Sequence, residues 1–363
     1  MAGLKPHLNI PPGEFILEEL ESRHWTQDDL AAILATTPKT VSQLINGKAY
    51  ITLDMAKRLA KAFEQSPQYW LNLDANYRLR LNEKASAAEN GIAMRAMIYG
   101  YMPIREMVKN GWLLIPGKSV RDLAAAVTSF WDMDTLDFGF MKAAALPHCR
   151  SSEAHAEKFN PYFAYTWYHV ARNQAKSVSF KAPWNRAKVE ELARRLPEFT
   201  TMADGVRLFI RELNAAGVGF LRLQHLSKTY LDGAAFMLNG RPFVVYTMRF
   251  DRLDNFWFTM AHELGHILLH LGKGEDYFLD SFDGELKDIK EKEANQFAEG
   301  CLASEKIRQW GRGRSGRISE YDVRMIARQL RLEPSIVVGC LQHAKLLSTR
   351  NLNKLKTPVS GRF

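Results

Sequence analysis

Along the first part of the chain, apolar residues recur at helical rather than strand spacing. Phe15, Ile16 and Leu20 form a stripe that predicts a helix over 14–23. Thr26 reads as the N-cap of a helix over 27–35, and Thr37, followed by Pro38, as the N-cap of the next. That helix turns Val41, Leu44 and Ile45 inward and stops near Asn46-Gly47. Thr52 caps a fourth helix with Met55, Leu59 and Phe63 on one face, and Ser66-Pro67 opens a fifth containing Trp70, Leu71 and Leu73. Residues 83–200 keep a mostly helical pattern. In 201–302 the period changes. Two strand-like runs, 234–238 and 242–247, flank Asn239-Gly240, a hairpin turn signal. A mostly buried helix follows, carrying Phe256, Trp257, Met260, Leu264, Ile267 and Leu268, with Asp254 as its expected N-cap. Residues 303–345 read as helical again, interrupted by a loop over 311–316. The predicted fold is mainly α with a small β-sheet (α+β), in four segments: 1–82, 83–200, 201–347 and a basic tail over 348–363.

Composition narrows the class. With 363 residues, 46% hydrophobic and 25% charged, the chain has the make-up of a globular protein of two or three domains. No apolar run approaches the ~18–20 residues that span a bilayer, and residues 1–13 lack the apolar core of a signal peptide; the expected compartment is the cytoplasm. Cys149, Cys301 and Cys340 are far apart and odd in number, which gives no disulfide framework and no paired metal motif. The net charge of +9 sits wholly in 303–363, which holds 13 Lys/Arg and 4 Asp/Glu, among them Arg308, Arg312, Arg314 and Arg317. Such a patch suits nucleic acid or another polyanion, and equally a solvated basic face.

The helices over 27–35 and 38–46, joined by a tight turn, form a helix-turn-helix pattern. Lys39, Thr40, Ser42 and Gln43 are the expected exposed positions on the second helix, able to reach base edges in a major groove of double-stranded DNA; Gln27 and Lys48 are placed to meet phosphates. Residues 1–80 hold nine basic and nine acidic residues, so a helical bundle with no nucleic-acid role accounts for the same pattern.

The strongest chemical motif is His262-Glu263-Leu264-Gly265-His266. On a helix, positions i and i+4 share a face, so both imidazoles can meet one ion. Glu263, beside the first ligand, can take a proton from an activated water. A strand beside this helix is where an extended peptide substrate would pair. His270 lies eight residues from His262, ~12 Å along a helix axis, and reads as a helix-end residue. A third ligand belongs in 291–298. Glu291 and Asn295 share a face there, which favours Glu291 on the ion and Asn295 supporting a ligand histidine, with Glu293 in reserve. Zinc is the expected ion, and manganese fits the same donors. For an oxyanion stabiliser, Tyr277, Tyr321, His343 and His225 remain open.

Two resemblances follow from these residues. Pro12-Gly13-Glu14, Trp25 to Ala31, Val41 to Gly47, Leu59-Ala60, Trp70 to Leu73 and Tyr77 resemble the HigA-type antitoxin branch of the XRE helix-turn-helix family. Asp74 and Arg78 depart from it, where that branch commonly has glutamine and aspartate. The resemblance implies operator binding as a homodimer, with a toxin as partner. His262 to His270, Glu291 to Ala298 and Ile336 to His343 resemble the ImmA/IrrE metallopeptidases, which look like gluzincins. Leu302-Ala303-Ser304 departs from that family's proline-ended triplet. The combination implies a zinc or manganese metallo-endopeptidase coupled to a regulator, cutting a repressor or antitoxin in a toxin–antitoxin, phage-immunity or stress-response circuit. A rival class is an antitoxin-like repressor whose metal site is structural or sensory.

Overall fold

The structure is a computed structural model. It describes residues 9–81, 87–143, 159–180, 182–271, 284–314 and 318–363, with the backbone alone at 87–90, 142–143 and 284–288. Cys149, Tyr277 and Arg317 lie outside the described residues. Two compact units divide the chain, Met1–Met94 and Arg95–Phe363. The boundary expected at 82/83 therefore falls later, and residues 95–200 share one unit with the hairpin and the histidine motif.

The first unit contains α1 (Pro12–Arg23), α2 (Gln27–Ile33), α3 (Pro38–Ile45), α4 (Leu53–Phe63) and α5 (Pro67–Leu81). Helix starts follow the caps read from sequence. Thr26 and Asp29 form a reciprocal capping box, Thr37 accepts from the Thr40 amide, and Thr52 from the Met55 amide. Ile16, Leu30, Val41, Leu44, Leu59, Phe63 and Trp70 make its core. Gly13 is needed there, because a Cβ would meet the Ile45 carbonyl oxygen at 1.9 Å.

Helix α6 (Ala87–Tyr101) crosses the boundary. The second unit continues with α7 (Ile104–Lys109), α8 (Val120–Trp131), α9 (Gly139–Ala143), α10 (Pro161–Ala175), α11 (Arg186–Arg194), α12 (Leu196–Thr200) and α13 (Gly205–Ala215). Then come β1 (Gly219–Arg222), β2 (Gly233–Leu238) and β3 (Arg241–Tyr246), in sheet order β1-β3-β2. β1 runs parallel to β3, and β2 pairs antiparallel with it, Leu238 opposite Arg241. Asn239 and Gly240 both have positive φ, 51° and 72°, as the two-residue hairpin requires. Helices α14 (Leu253–Leu269), α15 (Gly284–Cys301), α16 (Ser304–Arg312), α17 (Glu320–Leu330) and α18 (Pro334–His343) complete the unit. Phe209, Val244, Tyr246, Phe256, Trp257, Leu264, Ala298 and Leu341 belong to one core. No described helix is long and apolar enough to cross a membrane.

Three expectations need correction. Asp254 is not an N-cap; α14 starts at Leu253 after Arg252 with no side-chain cap, and Asp254 is buried in the first turn, bonded by Arg252. The segment 348–363 is not a tail. Leu355 and Val359 are buried, the Phe363 ring packs against Phe220, Tyr246 and Phe256, and Asp251 accepts from the amides of Val359 and Ser360. Its widely spaced apolar residues, outnumbered by Lys, Arg and Asn, hide this role in sequence. Finally, several of the basic side chains of 303–363 are held by acids of the same unit: Arg308 by Glu299, Arg314 by Asp322, Lys354 by Glu320 and Lys356 by Asp254.

The departure at Leu302-Ala303-Ser304 is a left-handed turn. Ala303 has φ 50°, α15 stops before it and α16 starts after it, while Leu302 stays buried.

Candidate functional site

Helix α14 is apolar on nearly all sides and is held by the sheet, α11, α15 and α18. Its polar residues are therefore fixed by the packing around them. His262 and His266, one turn apart, direct their Nε2 atoms at each other, 2.8 Å apart. From α15, Glu291 reaches both, Oε2 at 3.3 Å from His262 Nε2 and Oε1 at 3.7 Å from His266 Nε2. These three residues offer ligand atoms that all lie within 4.8 Å of one another. Gly265 permits the close approach of α15, since a Cβ there would sit 3.2 Å from the Ala294 Cα.

The backs of the rings are also occupied. Asn295 Oδ1 lies 3.0 Å from His262 Nδ1, placed to accept a hydrogen bond from it, and the ring turns Nε2 toward Glu291. His270 caps the end of α14, with Nδ1 3.0 Å from His266 Nδ1 and Nε2 2.9 Å from Glu293 Oε2. Glu293, the reserve ligand, is thus placed against His270 and not among the three converging groups. His270 was read only as a helix-end residue; its partner across two helices carried no sequence signal.

The donor set fits a divalent cation. Donors around a tetrahedral zinc with bonds of ~2.0–2.1 Å lie ~3.3 Å apart. The two imidazole nitrogens are 2.8 Å apart, and Glu291 sets one oxygen 3.3 Å from the first and its other oxygen 3.7 Å from the second, near that spacing. Two imidazole nitrogens and a carboxylate are also the borderline-soft mixture that zinc accepts.

Glu263 is 5% exposed. Burial, the largest influence, pushes its pKa up to about 8; His262 opposes this, and the charges of Glu291 and Asp232 add to it. For His262, burial pulls down, but the hydrogen bond to Glu291, the charges of Glu263 and Glu291, and Asn295 outweigh it, so its pKa is raised. Both shifts favour the protonated forms of these groups. Gly233, at the start of β2, leaves room for the Glu263 carboxylate: a Cβ there would lie 2.7 Å from Glu263 Oε1. Asp232, just before it, is bonded by Arg249, which also donates to the Tyr230 carbonyl. Sequence reading missed this pair beside the site. Of the oxyanion candidates, Tyr321 is 72% exposed on α17, and His225 lies near Arg249 and Glu106.

In the first unit, Gln27, Lys39, Gln43 and Lys48 are exposed, and Thr40 and Ser42 are half-buried. Thr40 Oγ1 bonds Thr37 Oγ1 at 2.9 Å, and Ser42 accepts from the Asn46 side chain at its carbonyl, 2.7 Å. Arg58 of α4 ties down the turn between α2 and α3, donating to the carbonyls of Leu34 and Ala35. The two departures from the resemblance meet each other. Arg78 Nε lies 3.0 Å from both carboxylate oxygens of Asp74, its guanidinium donates to the Ala49 carbonyl at 2.6 Å, and it stacks 3.6 Å above the Tyr50 ring.

Comparison with known proteins agrees with this division. The helix-turn-helix family matches residues 16–70, and the IrrE N-terminal-like domain matches residues 202–309. An HTH-type transcriptional regulator of Haemophilus influenzae is 43% identical over 68 residues, 18% of this chain and 64% of its own length. The HTH-type regulator YddM of Escherichia coli is 37% identical over 73 residues, 20% of this chain and 78% of its own. Among solved structures, a HigA-family addiction module antidote protein from Coxiella burnetii is 38% identical, covering 22% of this chain and 89% of its own, with a TM-score of 0.21. The Pseudomonas aeruginosa antitoxin HigA, solved with the higBA promoter, is 32% identical, covering 23% and 95%, also at 0.21. The chain belongs to the helix-turn-helix family of HTH-type regulators. In the same chain it carries an IrrE N-terminal-like, peptidase-family domain.

Proposed function

We propose that the protein is a DNA-binding transcriptional regulator whose second unit is a zinc-dependent endopeptidase. It binds operator DNA as a homodimer through α3 and cuts a protein partner, a repressor or antitoxin, in a toxin–antitoxin, phage-immunity or stress-response circuit. A toxin is a further partner, by analogy with the HigA antitoxins it is similar to. The observation that carries the peptidase reading is the convergence of His262, His266 and Glu291 on one point, with Glu263 buried alongside.

Held by these three residues, zinc supplies Lewis-acid polarisation of a carbonyl and acidifies water toward a pKa of ~7; manganese fits the same donors. The remaining work belongs to the chain's own groups. Asn295 and His270 fix the two ligand rings. Glu263 takes the proton of the attacking water at its carboxylate and passes it to the departing amine. β2, an edge strand among the described residues, starts against Glu263 and offers backbone groups to an extended peptide. In the first unit, Lys39, Thr40, Ser42 and Gln43 face base edges, and Gln27 and Lys48 face phosphates.

The test is cleavage and DNA binding measured on the same preparations. Glu263→Gln should abolish cleavage of the partner while leaving zinc content and operator affinity unchanged. Cleavage retained by that variant would remove the peptidase reading and leave a structural or sensory metal site.

A further inference from the structure

We infer that a cavity bordering His262 is a substrate subsite, taking one bulky uncharged side chain of an extended peptide. The inference rests on the peptidase reading above and gives it a substrate class. The cavity encloses about 230 Å³ among α14, α15, α16 and α18. It adjoins the candidate metal centre through two residues. Asn295 lines it while its Oδ1 accepts from His262. Phe258 lines it while stacking on the His262 ring, centroids 6.4 Å apart and planes at 27°.

Leu302, Ile336 and Cys340 supply apolar wall, and Gly339 keeps the space open. A Cβ on Gly339 would meet Asp254 Oδ2 at 2.7 Å. The arginine and carboxylate groups of the wall are already paired, and His343 and Cys340 are its other titratable side chains. Arg308 bonds Glu299 through both terminal nitrogens, at 2.7 and 3.0 Å, and Glu305 through Nε at 2.9 Å. Arg252 bonds both oxygens of Asp254 at 3.1 Å, and Lys356 lies 3.3 Å from the same carboxylate. A charged guest would lose its hydration and find the arginines and carboxylates of the wall already paired with one another or with Lys356 and Glu305. A leucine, methionine or phenylalanine gains from burial and needs no partner.

Cys340 reports occupancy directly. The experiment uses the zinc-loaded full chain and blocked alanine pentapeptides with one variable residue. It follows alkylation of Cys340 by iodoacetamide, with Cys301 as internal reference, and peptide cleavage in parallel. Peptides carrying Leu, Met or Phe should slow Cys340 alkylation at least tenfold relative to Ala, Asp or Lys peptides, leave Cys301 unchanged, and protect equally in Glu263→Gln. Cys340→Leu, which narrows the cavity, should shift cleavage preference tenfold or more toward smaller residues. If that variant fails to fold, Phe258→Ala at the half-exposed rim should flatten the preference. Protection that ignores side-chain size, or that favours charge, overturns the subsite. Protection without cleavage keeps the subsite and removes the peptidase; cleavage without protection does the reverse.

Discussion

His266 Nδ1 lies 3.0 Å from His270 Nδ1, and His270 Nε2 lies 2.9 Å from a Glu293 oxygen. That chain of contacts decides which nitrogen of His266 faces Glu291. The Glu293 carboxylate accepts, so His270 carries its proton on Nε2. In the tautomer with that proton alone, His270 Nδ1 accepts from His266 Nδ1–H. The Nε2 lone pair of His266 is then directed at the same point as that of His262.

Breaking the chain at either link should weaken the metal site without removing a ligand. His270→Ala and Glu293→Gln are each expected to lower zinc affinity about 10–100-fold, the usual cost of losing a group that orients a ligand. Competition against a chromogenic chelator checks it, and unchanged affinity in both variants would contradict the relay.

The Asp74–Arg78 pair in the first unit should act as one element. Their side chains are 10% and 19% exposed, and removing one partner of a buried pair costs about 3–5 kcal/mol. Asp74→Ala and Arg78→Ala should each lower stability by that order. The double variant should lose less than the two combined, with a coupling of about 1–3 kcal/mol. Chemical denaturation of the four proteins measures the cycle.

His169 predicts a pH dependence. Burial, the largest influence, lowers its pKa, helped by Lys176 and Arg172 and opposed by its bond to the Phe130 carbonyl and by Asp132. The folded state thus holds fewer protons on this ring than the unfolded state does. Its share of stability is fully present above the unfolded value near 6.5 and is lost as pH falls below it. Unfolding free energy should drop between pH 7 and 5.5, and the drop should shrink in His169→Gln. An identical drop in that variant would assign the effect elsewhere.

The C-terminal segment should be needed for folding. Val359 is fully buried and Leu355 is 5% exposed; Leu355→Ala should cost about 2–5 kcal/mol, as truncation of a buried leucine does. Removal of 357–363 should lower the melting temperature of the second unit. A truncated chain as stable as the intact one would return this segment to the status of a tail.

How far the sequence carried varied with the kind of interaction. The caps at Thr26, Thr37 and Thr52 and the Asn239-Gly240 turn act over a few residues, and each was legible. Helical periodicity sets which residues share a face, so it could pair His262 with His266 and Glu291 with Asn295; the meeting of the two helices was not in that pattern. His270–Glu293, Asp74–Arg78–Tyr50 and Phe363 against Tyr246 were not legible. Each depends on a packing angle or chain reversal that no local pattern encodes. Asp254 was misread for a related reason: a carboxylate near a helix start looks like a cap, whereas here Arg252 and Lys356 hold it inside the first turn.

The central claim is that Glu291, and not Glu293, completes a site for one ion with His262 and His266. Zinc content by elemental analysis of wild type, Glu291→Gln, Glu293→Gln and Glu263→Gln tests it directly. One zinc per chain is predicted for wild type and Glu263→Gln, a more easily stripped zinc for Glu293→Gln, and a loss of zinc for Glu291→Gln. Full zinc in Glu291→Gln, or none in wild type purified with zinc present, would contradict the account.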